Sequence, residues 1–256
     1  HPGYAASTLV SEYNDLESVK GLLESNAGEV AAVIVEPIAG NMGVVLPVDG
    51  FLEGLRSLTR EHQCLLIFDE VISGFRVALG GAQSTFGVTP DITCLGKIIG
   101  GGFPVGAYGA SAEIMSEVAP LGPMYQAGTL SGNPVAMAAG IATLDELGKP
   151  GVYQDLQIAT DKLANGVTNV FAKAGVPAVI NRACGLMTVF FSNIQVTNME
   201  TASATDREAY GVFFHKMVDN GVYLPPSQYE AWFISTVHTE RNIKLTLEAV
   251  ERSLIG

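Results

Sequence analysis

The stretch Thr93-Cys94-Leu95-Gly96-Lys97-Ile98-Ile99-Gly100-Gly101-Gly102 decides the fold, because it joins an apolar strand-like run to a lysine and a glycine cluster. A second apolar run, Leu65-Leu66-Ile67-Phe68, ends in Asp69-Glu70-Val71. Buried strands that end in one acid and one lysine suggest a site for a carbonyl cofactor. The lysine amine would form a Schiff base with the carbonyl carbon, and the acid would hold a ring nitrogen in its protonated form.

The segments around these two runs alternate between strand-like and helical patterns. Residues 31–35 are continuously apolar and rich in β-branched side chains, which suits a strand buried on both faces. Further strands are predicted at residues 65–68, 91–95 and 105–110. One helix is predicted to begin at a capping box of Asn14 and Glu17 and to end near residue 26. A second is predicted to begin at a cap, Asp49, and to end near residue 62. This alternation predicts an α/β fold with a mainly parallel sheet and helices on both faces.

The second part of the chain begins at a break, Lys149-Pro150-Gly151. Just before it, Asn133-Pro134 opens a helix of small residues. After it come, in order, a predicted helix at residues 153–174, strands at 178–180 and 186–191, and helices at 204–220 and 240–254. We therefore predict two domains: residues 1–150 as the C-terminal portion of a large cofactor-binding domain, and residues 151–256 as a small C-terminal α/β domain.

Composition excludes several classes of function. The 256 residues are 48% hydrophobic with a formal net charge of −12, which argues against electrostatic binding of nucleic acid or of an anionic membrane. No apolar stretch reaches the ~20 residues needed to span a bilayer. Three cysteines in or beside apolar runs predict buried, reduced thiols in a cytosol-like compartment, and their spacing predicts no metal site. The first residue is His1, so we expect a longer polypeptide whose N-terminal segment is missing here.

Glu36, Asp69 and Lys97 each follow a strand-like run, where the ligands of parallel sheets bind. Burial of Lys97 is expected to lower the pKa of its amine and so free it as a nucleophile and proton shuttle. Each feature also has a simpler interpretation. Lys97 alone could be a surface lysine, Asp69-Glu70 a helix cap or half of a salt bridge, and the loop Glu36–Gly43 ordinary turn chemistry.

Two further stretches carry candidate site residues. Gly128-Thr129-Leu130-Ser131-Gly132-Asn133-Pro134 precedes a helix whose first amides could bind a phosphate together with the Thr129 hydroxyl, although a helix cap explains the same residues. Tyr229-Glu230-Ala231-Trp232-Phe233 places a lone acid in an aromatic run. Glu230 is there either a partly buried site residue or an exposed charge at a sheet edge.

Taken together, these residues resemble the class III aminotransferase family of fold-type I pyridoxal-phosphate enzymes. The resemblance rests on Asp69-Glu70-Val71, on Gly74 and Arg76, and on a lysine 28 positions after the aspartate. The segments Val35–Gly43, Phe68–Val77, Gly128–Pro134 and Pro225–Ser235 resemble the aminomutase branch of that family. That branch moves an amino group between carbons of one small-molecule substrate and is implied to serve tetrapyrrole synthesis.

The resemblance implies pyridoxal 5′-phosphate and pyridoxamine 5′-phosphate as cofactors. It implies Lys97 as the Schiff-base lysine, Asp69 as the partner of the pyridinium nitrogen, Val71 against the ring and Asn41 near its phenolic oxygen. Lys97, Asp69 and Glu230 are the residues expected to take part in catalysis.

The resemblance also implies a homodimer with shared active sites. Gly128 and Thr129 would bind the phosphate of the neighbouring subunit's cofactor. Glu36 and Glu230 would line the substrate pocket, and the missing N-terminal segment would complete the site.

Two alternatives stay open. An ordinary ω-aminotransferase acting on ornithine, 4-aminobutyrate or a diamine, with 2-oxoglutarate, would use the same lysine and aspartate. A relative without cofactor, serving only as a binding module, is the second alternative, and the presence of both Asp69 and Lys97 argues against it.

Overall fold

The computed structural model describes residues 1–254, and two β-sheets organise them. The helices are α1 (Pro2–Ala5), α2 (Leu16–Ser25), α3 (Phe51–Glu61), α4 (Gly81–Phe86), α5 (Ala112–Met115), α6 (Pro134–Leu147), α7 (Val152–Ala174), α8 (Met199–Ser203), α9 (Arg207–Asp219) and α10 (Glu240–Leu254). The strands are β1 (Ala32–Val35), β2 (Leu65–Asp69), β3 (Ile92–Leu95), β4 (Ala107–Ala110), β5 (Val179–Ala183), β6 (Leu186–Phe190) and β7 (Trp232–Phe233).

The first sheet has the order β1-β2-β3-β4, and its first three strands are parallel. This confirms the α/β fold with a mainly parallel sheet. β4 runs antiparallel to β3, with Leu95 opposite Ala107, because only the glycine-rich turn after β3 separates the two strands and no crossover helix intervenes. The prediction that residues 31–35 are buried on both faces was wrong, since no residue of β1 is fully buried and Ile34 is exposed. Its side chain is 63% exposed, since β1 is an edge strand in the described residues.

The second sheet, β5-β6-β7, is antiparallel, and α7 packs on it while α10 packs on α7 and α9. β6 is buried along its whole length. The helix predicted at residues 204–220 begins later, at Arg207, because Asp206 accepts a hydrogen bond from Ala209 N and so caps it. The short α8 before it, which sequence patterning did not predict, has its own capping box at Asn198 and Thr201.

The largest hydrophobic core joins both parts of the chain. Ile38, Val44, Ile72 and Val77 pack in the same buried cluster as the residues of α7, β6, α9 and α10. A second cluster lies between α2, α3 and β2. The two sheets are therefore joined by a continuous core, and the division into domains near residue 150 stays a prediction.

Two helix caps differ from their prediction. α2 is capped by Asp15, whose carboxylate accepts from Ser18 N at 2.9 Å, so the capping box at Asn14 and Glu17 was wrong. Asn14 has φ +66° and instead bonds other segments, including Thr197 O at 2.7 Å. α3 is preceded by Gly50 at φ +83° without a side-chain cap, so Asp49 does not cap it.

None of the helices in residues 1–254 combines the length and the apolar character that a bilayer crossing requires.

Candidate active site at the carboxyl edge of the first sheet

Asp69 and Lys97 meet at one edge of the first sheet. β2 and β3 are parallel neighbours, with Asp69 opposite Cys94, and Lys97 follows Cys94 by three residues. Because parallel strands end at the same edge, the acid and the amine approach it from adjacent strands. Both positions therefore lie where the sequence patterning predicted them.

Asp69 is held by its own loop. Its Oδ1 accepts a hydrogen bond from Val71 N at 3.0 Å, while Oδ2 receives none from residues 1–254. Glu70 N donates to Cys94 O at 2.9 Å and continues the β2–β3 pairing past Asp69. Burial and then the charge of Asp69 raise the pKa of the Cys94 thiol, which keeps that neighbour neutral. Asp69 therefore presents one carboxylate oxygen that is available to a ligand.

Lys97 begins a 3₁₀ turn, Lys97–Gly100, with φ at +46°. A residue with a Cβ seldom adopts this conformation, and such strain is concentrated at functional sites. The side chain is exposed, so the expected burial of Lys97 was wrong for the described residues. The amine is therefore open to a ligand.

The glycines around Lys97 permit close packing. A Cβ on Gly96 would lie 3.2 Å from Cγ1 of Val71, so the Val71 side chain sits directly against the backbone before Lys97. A Cβ on Gly101, which has φ +56°, would lie 2.5 Å from Ala139 O of α6. The glycine cluster thus permits the close backbone approach that its sequence suggested, and its neighbour at Gly101 is helix α6.

Glu70 is a buried residue whose importance the sequence did not show. It is 1% exposed, and its carboxylate accepts from Ser73 Oγ (3.0 Å), Ala82 N (2.6 Å), Gln83 N (3.3 Å) and Gln83 Nε2 (3.1 Å). Gln83 Nε2 also donates to Thr93 Oγ1 on β3 at 2.9 Å. The simpler interpretation of Asp69-Glu70 as a helix cap thus applies to Glu70, which binds the first amides of α4, and leaves Asp69 for the site.

Glu36 and Asn41 lie on one closed turn after β1. Glu36 Oε2 accepts from Gly40 N at 2.9 Å, and Oε1 accepts from Asn41 Nδ2 at 2.9 Å. Ala39 and Val45 close the base of the turn through two backbone hydrogen bonds of 3.0 Å. We call residues 36–45 the Asn41 turn. It holds one acid and one exposed amide at the edge where β1 ends.

The Asn41 turn contacts the segment that carries Glu230. Gly43 N donates to Tyr229 O at 2.8 Å, so two elements that sequence reasoning treated separately are adjacent. Glu230 is exposed, and the partly buried acid considered from the sequence was therefore wrong. The charge of Glu230 nevertheless affects the Tyr210 hydroxyl, since burial and, to a smaller extent, Glu230 raise the pKa of that hydroxyl to about 12.

Arg76 connects the loop after β2 to the second sheet. Its Nη1 donates to Ile234 O at 3.1 Å, and the guanidinium lies 5.3 Å from the centre of the Phe233 ring. Burial lowers the pKa of Arg76, and a cation–π contact compensates part of that desolvation. The sequence pattern included Arg76 without assigning it a role. In the structure, Arg76 connects the loop after β2 to the segment of Phe233 and Ile234.

Thr129 lies in a different depression from Asp69 and Lys97. A groove of about 590 Å³ is lined by the segment after Lys97 and by α6, and Gly128 and Thr129 are part of its wall, whereas neither Asp69 nor Lys97 is. The first amides of α6 that were expected to bind an anion, Val135 N and Ala136 N, are instead bonded to Asn133 Oδ1. The helix-cap interpretation of this stretch therefore holds for the helix end itself.

Five large apolar side chains between residues 121 and 141 are more than half exposed, and two of them, Leu130 and Ile141, line this groove. Leu121 and Tyr125 are 83% and 84% exposed, and Leu130, Val135 and Ile141 are more than half exposed. Exposed apolar side chains of this size are typical of an interaction surface. We call these five residues the apolar face.

The residues at the sheet edge suit a pyridoxal-type cofactor. They offer a carboxylate oxygen without a partner at Asp69, an apolar surface at Val71 and an open amine at Lys97, and Asn41 adds an amide. An acid, a flat apolar contact and a primary amine are the donors that a protonated ring nitrogen, a ring face and an aldehyde require. The groups for a phosphate are not part of this set, since Thr129 lies in the other groove.

Comparison with known proteins gives concordant results. The family model of the class-III aminotransferases matches residues 5–247. Glutamate-1-semialdehyde 2,1-aminomutase 2 of Brevibacillus brevis is 55% identical over 247 residues, which are 96% of this chain and 58% of that protein.

Solved structures agree with this. An ω-transaminase from Sphaerobacter thermophilus superposes with a TM-score of 0.88 at 34% identity, over 94% of this chain and 56% of that one. A glutamate-1-semialdehyde aminomutase from Pseudomonas aeruginosa superposes with a TM-score of 0.86 at 28% identity, over 96% and 56%. The chain thus spans somewhat more than half the length of the relatives it matches.

Proposed function

Because this chain belongs to the class-III aminotransferase family, we propose that it forms part of a pyridoxal-phosphate-dependent aminomutase that converts glutamate-1-semialdehyde to 5-aminolevulinate. The amino group moves within one substrate, so the reaction is an isomerisation without a net amino donor. The observation that supports this cofactor is that Asp69, Val71 and Lys97 lie together at one sheet edge. The substrate is supported by the identity to the aminomutase of Brevibacillus brevis.

The residues at the sheet edge would divide the work as follows. Pyridoxal phosphate, when bound, supplies an aldehyde and a ring that accepts an electron pair. Asp69 would keep a proton on the ring nitrogen through its charge, Val71 would support the ring face, and Asn41 would donate to the phenolic oxygen. Lys97 Nζ would bind the aldehyde carbon covalently when substrate is absent, and would carry a proton away from and back to the substrate carbons.

Glu36 and Glu230 would meet the substrate. Asn41 and Glu230 belong to segments that are hydrogen bonded to each other, which supports a shared pocket rim. Acids on such a rim, half-buried at Glu36 and exposed at Glu230, suit a substrate that carries amino groups.

The decisive experiment is an assay of the natural polypeptide that contains this chain. With glutamate-1-semialdehyde and no amino donor or acceptor, we expect 5-aminolevulinate to form. The main alternative is a class III ω-aminotransferase, which the superposition with the Sphaerobacter thermophilus enzyme supports. That enzyme class requires 2-oxoglutarate as amino acceptor and would turn over ornithine, 4-aminobutyrate or a diamine. Turnover that depends on 2-oxoglutarate would replace the proposal with this alternative.

We further propose a homodimer with active sites shared between subunits. The apolar face supports it, because a second copy would bury those side chains. Thr129 and Gly128, which lie in the groove beside this face and away from Lys97, would then serve the phosphate in the partner's site.

Mixed dimers test the shared site. Thr129→Val removes a hydroxyl that would donate to a charged group, worth about 1.5–3 kcal/mol, so cofactor affinity should fall roughly ten- to a hundred-fold. Subunits with Thr129→Val mixed with subunits with Lys97→Ala should regain one intact site per heterodimer, since both lesions would fall in the other site. Inactive mixtures, or a fully active monomer, would refute shared sites.

For location, we propose the cytoplasm, or the plastid stroma if the source is a plant, where tetrapyrrole precursors would be made. Fractionation of cells followed by immunodetection checks this.

A further inference from the structure

Thr188 is an unusual residue for its position. The five residues of β6 are all buried, and the other four are apolar, Leu186, Met187, Val189 and Phe190. Thr188 is 0% exposed, and a buried hydroxyl costs free energy unless it is hydrogen bonded. A valine would fill the same volume in the core. Packing alone therefore does not explain why residue 188 carries a hydroxyl.

The hydroxyl joins two segments that are far apart in sequence. Thr188 Oγ1 accepts a hydrogen bond from Val44 N at 2.9 Å and donates one to Glu230 O at 3.1 Å. Val44 belongs to the Asn41 turn, and Glu230 belongs to the segment before β7. One buried atom thus links the turn that carries Glu36 and Asn41 to the backbone of Glu230. We call the Val44 amide, the Thr188 hydroxyl and the Glu230 carbonyl the Thr188 bridge.

The packing around the bridge leaves little freedom. Gly43 has φ +78°, and a Cβ on it would lie 2.3 Å from Cζ of Phe190 and 3.1 Å from Cγ2 of Thr188. The Asn41 turn therefore lies with its backbone directly on β6. Gly43 N, through Tyr229 O at 2.8 Å, adds a second link beside the bridge.

We propose that Thr188 is a positioning residue that sets the distance between the two acid-bearing segments of the substrate pocket. This rests on the proposed function, in which Glu36 and Glu230 line that pocket. Thr188 itself lies beneath the rim and touches neither substrate nor cofactor. It acts by fixing where the backbone of Glu230 and the Asn41 turn stand relative to each other.

The test compares three variants of the natural polypeptide. Thr188→Val keeps the shape and removes both hydrogen bonds, and Thr188→Ser keeps both bonds and removes a methyl group. Thr59→Val is the matched control, because Thr59 is also 0% exposed and, among residues 1–254, its hydroxyl bonds only Arg56 O within α3, at 3.1 Å. If Thr188→Val does not fold, Thr188→Cys replaces it, since a thiol keeps the volume and is a weak hydrogen-bonding group.

Two measurements are needed. The first is hydrogen exchange of the Val44 amide, which does not depend on activity and should accelerate at least ten-fold in Thr188→Val. The second is the steady-state kinetics, in which KM should rise about ten-fold, the factor that corresponds to one lost hydrogen bond. The visible absorbance of the bound cofactor should stay unchanged, because Asp69 and Lys97 are held by other strands. Thr188→Ser should restore KM to within about three-fold of the unaltered protein, and Thr59→Val should leave KM unchanged.

Unchanged KM in Thr188→Val, with or without faster exchange at Val44, would overturn the proposal. So would an equal rise in Thr188→Ser, since the methyl group and not the hydroxyl would then matter, or an equal rise in Thr59→Val. The proposed function fails separately. If the unaltered protein instead transfers amino groups to 2-oxoglutarate, the same variants assayed for that transfer still decide the role of Thr188.

Discussion

The buried carboxylate of Glu70 should contribute strongly to stability. Glu70→Gln is nearly isosteric, so its effect reports hydrogen bonding more than packing. In the native protein Oε2 accepts from Ser73 Oγ and Ala82 N, and Oε1 accepts from the main-chain and side-chain amides of Gln83. Glutamine replaces one oxygen by an NH₂ group, which donates. Two of the four donors then face another donor, whichever way the amide is oriented.

The magnitude follows from these contacts. The Ser73 hydroxyl can rotate and accept from the new amide, but a backbone amide of α4 cannot. A buried donor left without an acceptor costs about 1–3 kcal/mol, and a hydrogen bond to a charged group is worth about 1.5–3 kcal/mol. Removal of the buried charge offsets part of this, because no described cation pairs with Glu70. We expect the free energy of unfolding to fall by about 2–3 kcal/mol, which for a chain of this size lowers Tm by roughly 4–12 °C.

Thermal and urea unfolding, followed by circular dichroism, measure this change. Glu29→Gln is the control, because Glu29 is exposed and its side chain makes no hydrogen bond or ion pair with the residues that the structure describes. The control should stay within about 0.5 kcal/mol of the unaltered protein. A Tm for Glu70→Gln that matches that of the control would refute the account of Glu70 as the anchor of α4.

Three further outcomes are expected. Lys97→Ala should abolish turnover, with a loss of rate beyond the ~10²–10⁴-fold that acid–base catalysis alone contributes. Its Tm should stay within about 2 °C of the unaltered protein, because the side chain is exposed. Near-normal activity in a kinetic assay would contradict the role of Lys97. Asp69→Asn should change the cofactor's absorbance spectrum and slow turnover severely, since an amide cannot hold the ring proton by charge; an unchanged spectrum and rate would exclude it. Burial raises the pKa of the Cys184 thiol to about 11, so at pH 8 only about 0.1% is thiolate. Mass spectrometry should find Cys184 of the folded protein resistant to iodoacetamide, with its labelling rising toward pH 11; rapid labelling of Cys184 at pH 8 would oppose this.

The strands that carry the site could be predicted from the sequence because their apolar runs end sharply in polar residues. The run before Asp69 and the run before Lys97 each became a strand of the parallel part of the first sheet. The direction of β4 could not be predicted in the same way, since its composition suits either orientation. The exposure of Lys97 depends on what covers the sheet edge, which no local pattern describes.

The roles of single acids were harder to assign. Asp69 and Glu70 are adjacent and chemically alike, and only the position of α4 shows that Glu70 is bound by the fold while Asp69 keeps an oxygen for a ligand. Thr188 gave no signal, because its two partners lie 144 and 42 positions away in the chain. Contacts between distant segments are set by tertiary packing and not by local periodicity.

The sequence distance across the Thr188 bridge also governs when this part of the protein is finished during translation. Val44 and Thr188 are 144 positions apart, so at about 5–20 residues per second the Asn41 turn leaves the ribosome roughly 7–30 s before β6 is made. Through that interval Val44 and Val45, which end up 0% exposed, have no partner strand to cover them. The rim of the proposed pocket is therefore synthesised early and completed late, and its apolar residues stay uncovered in the interval.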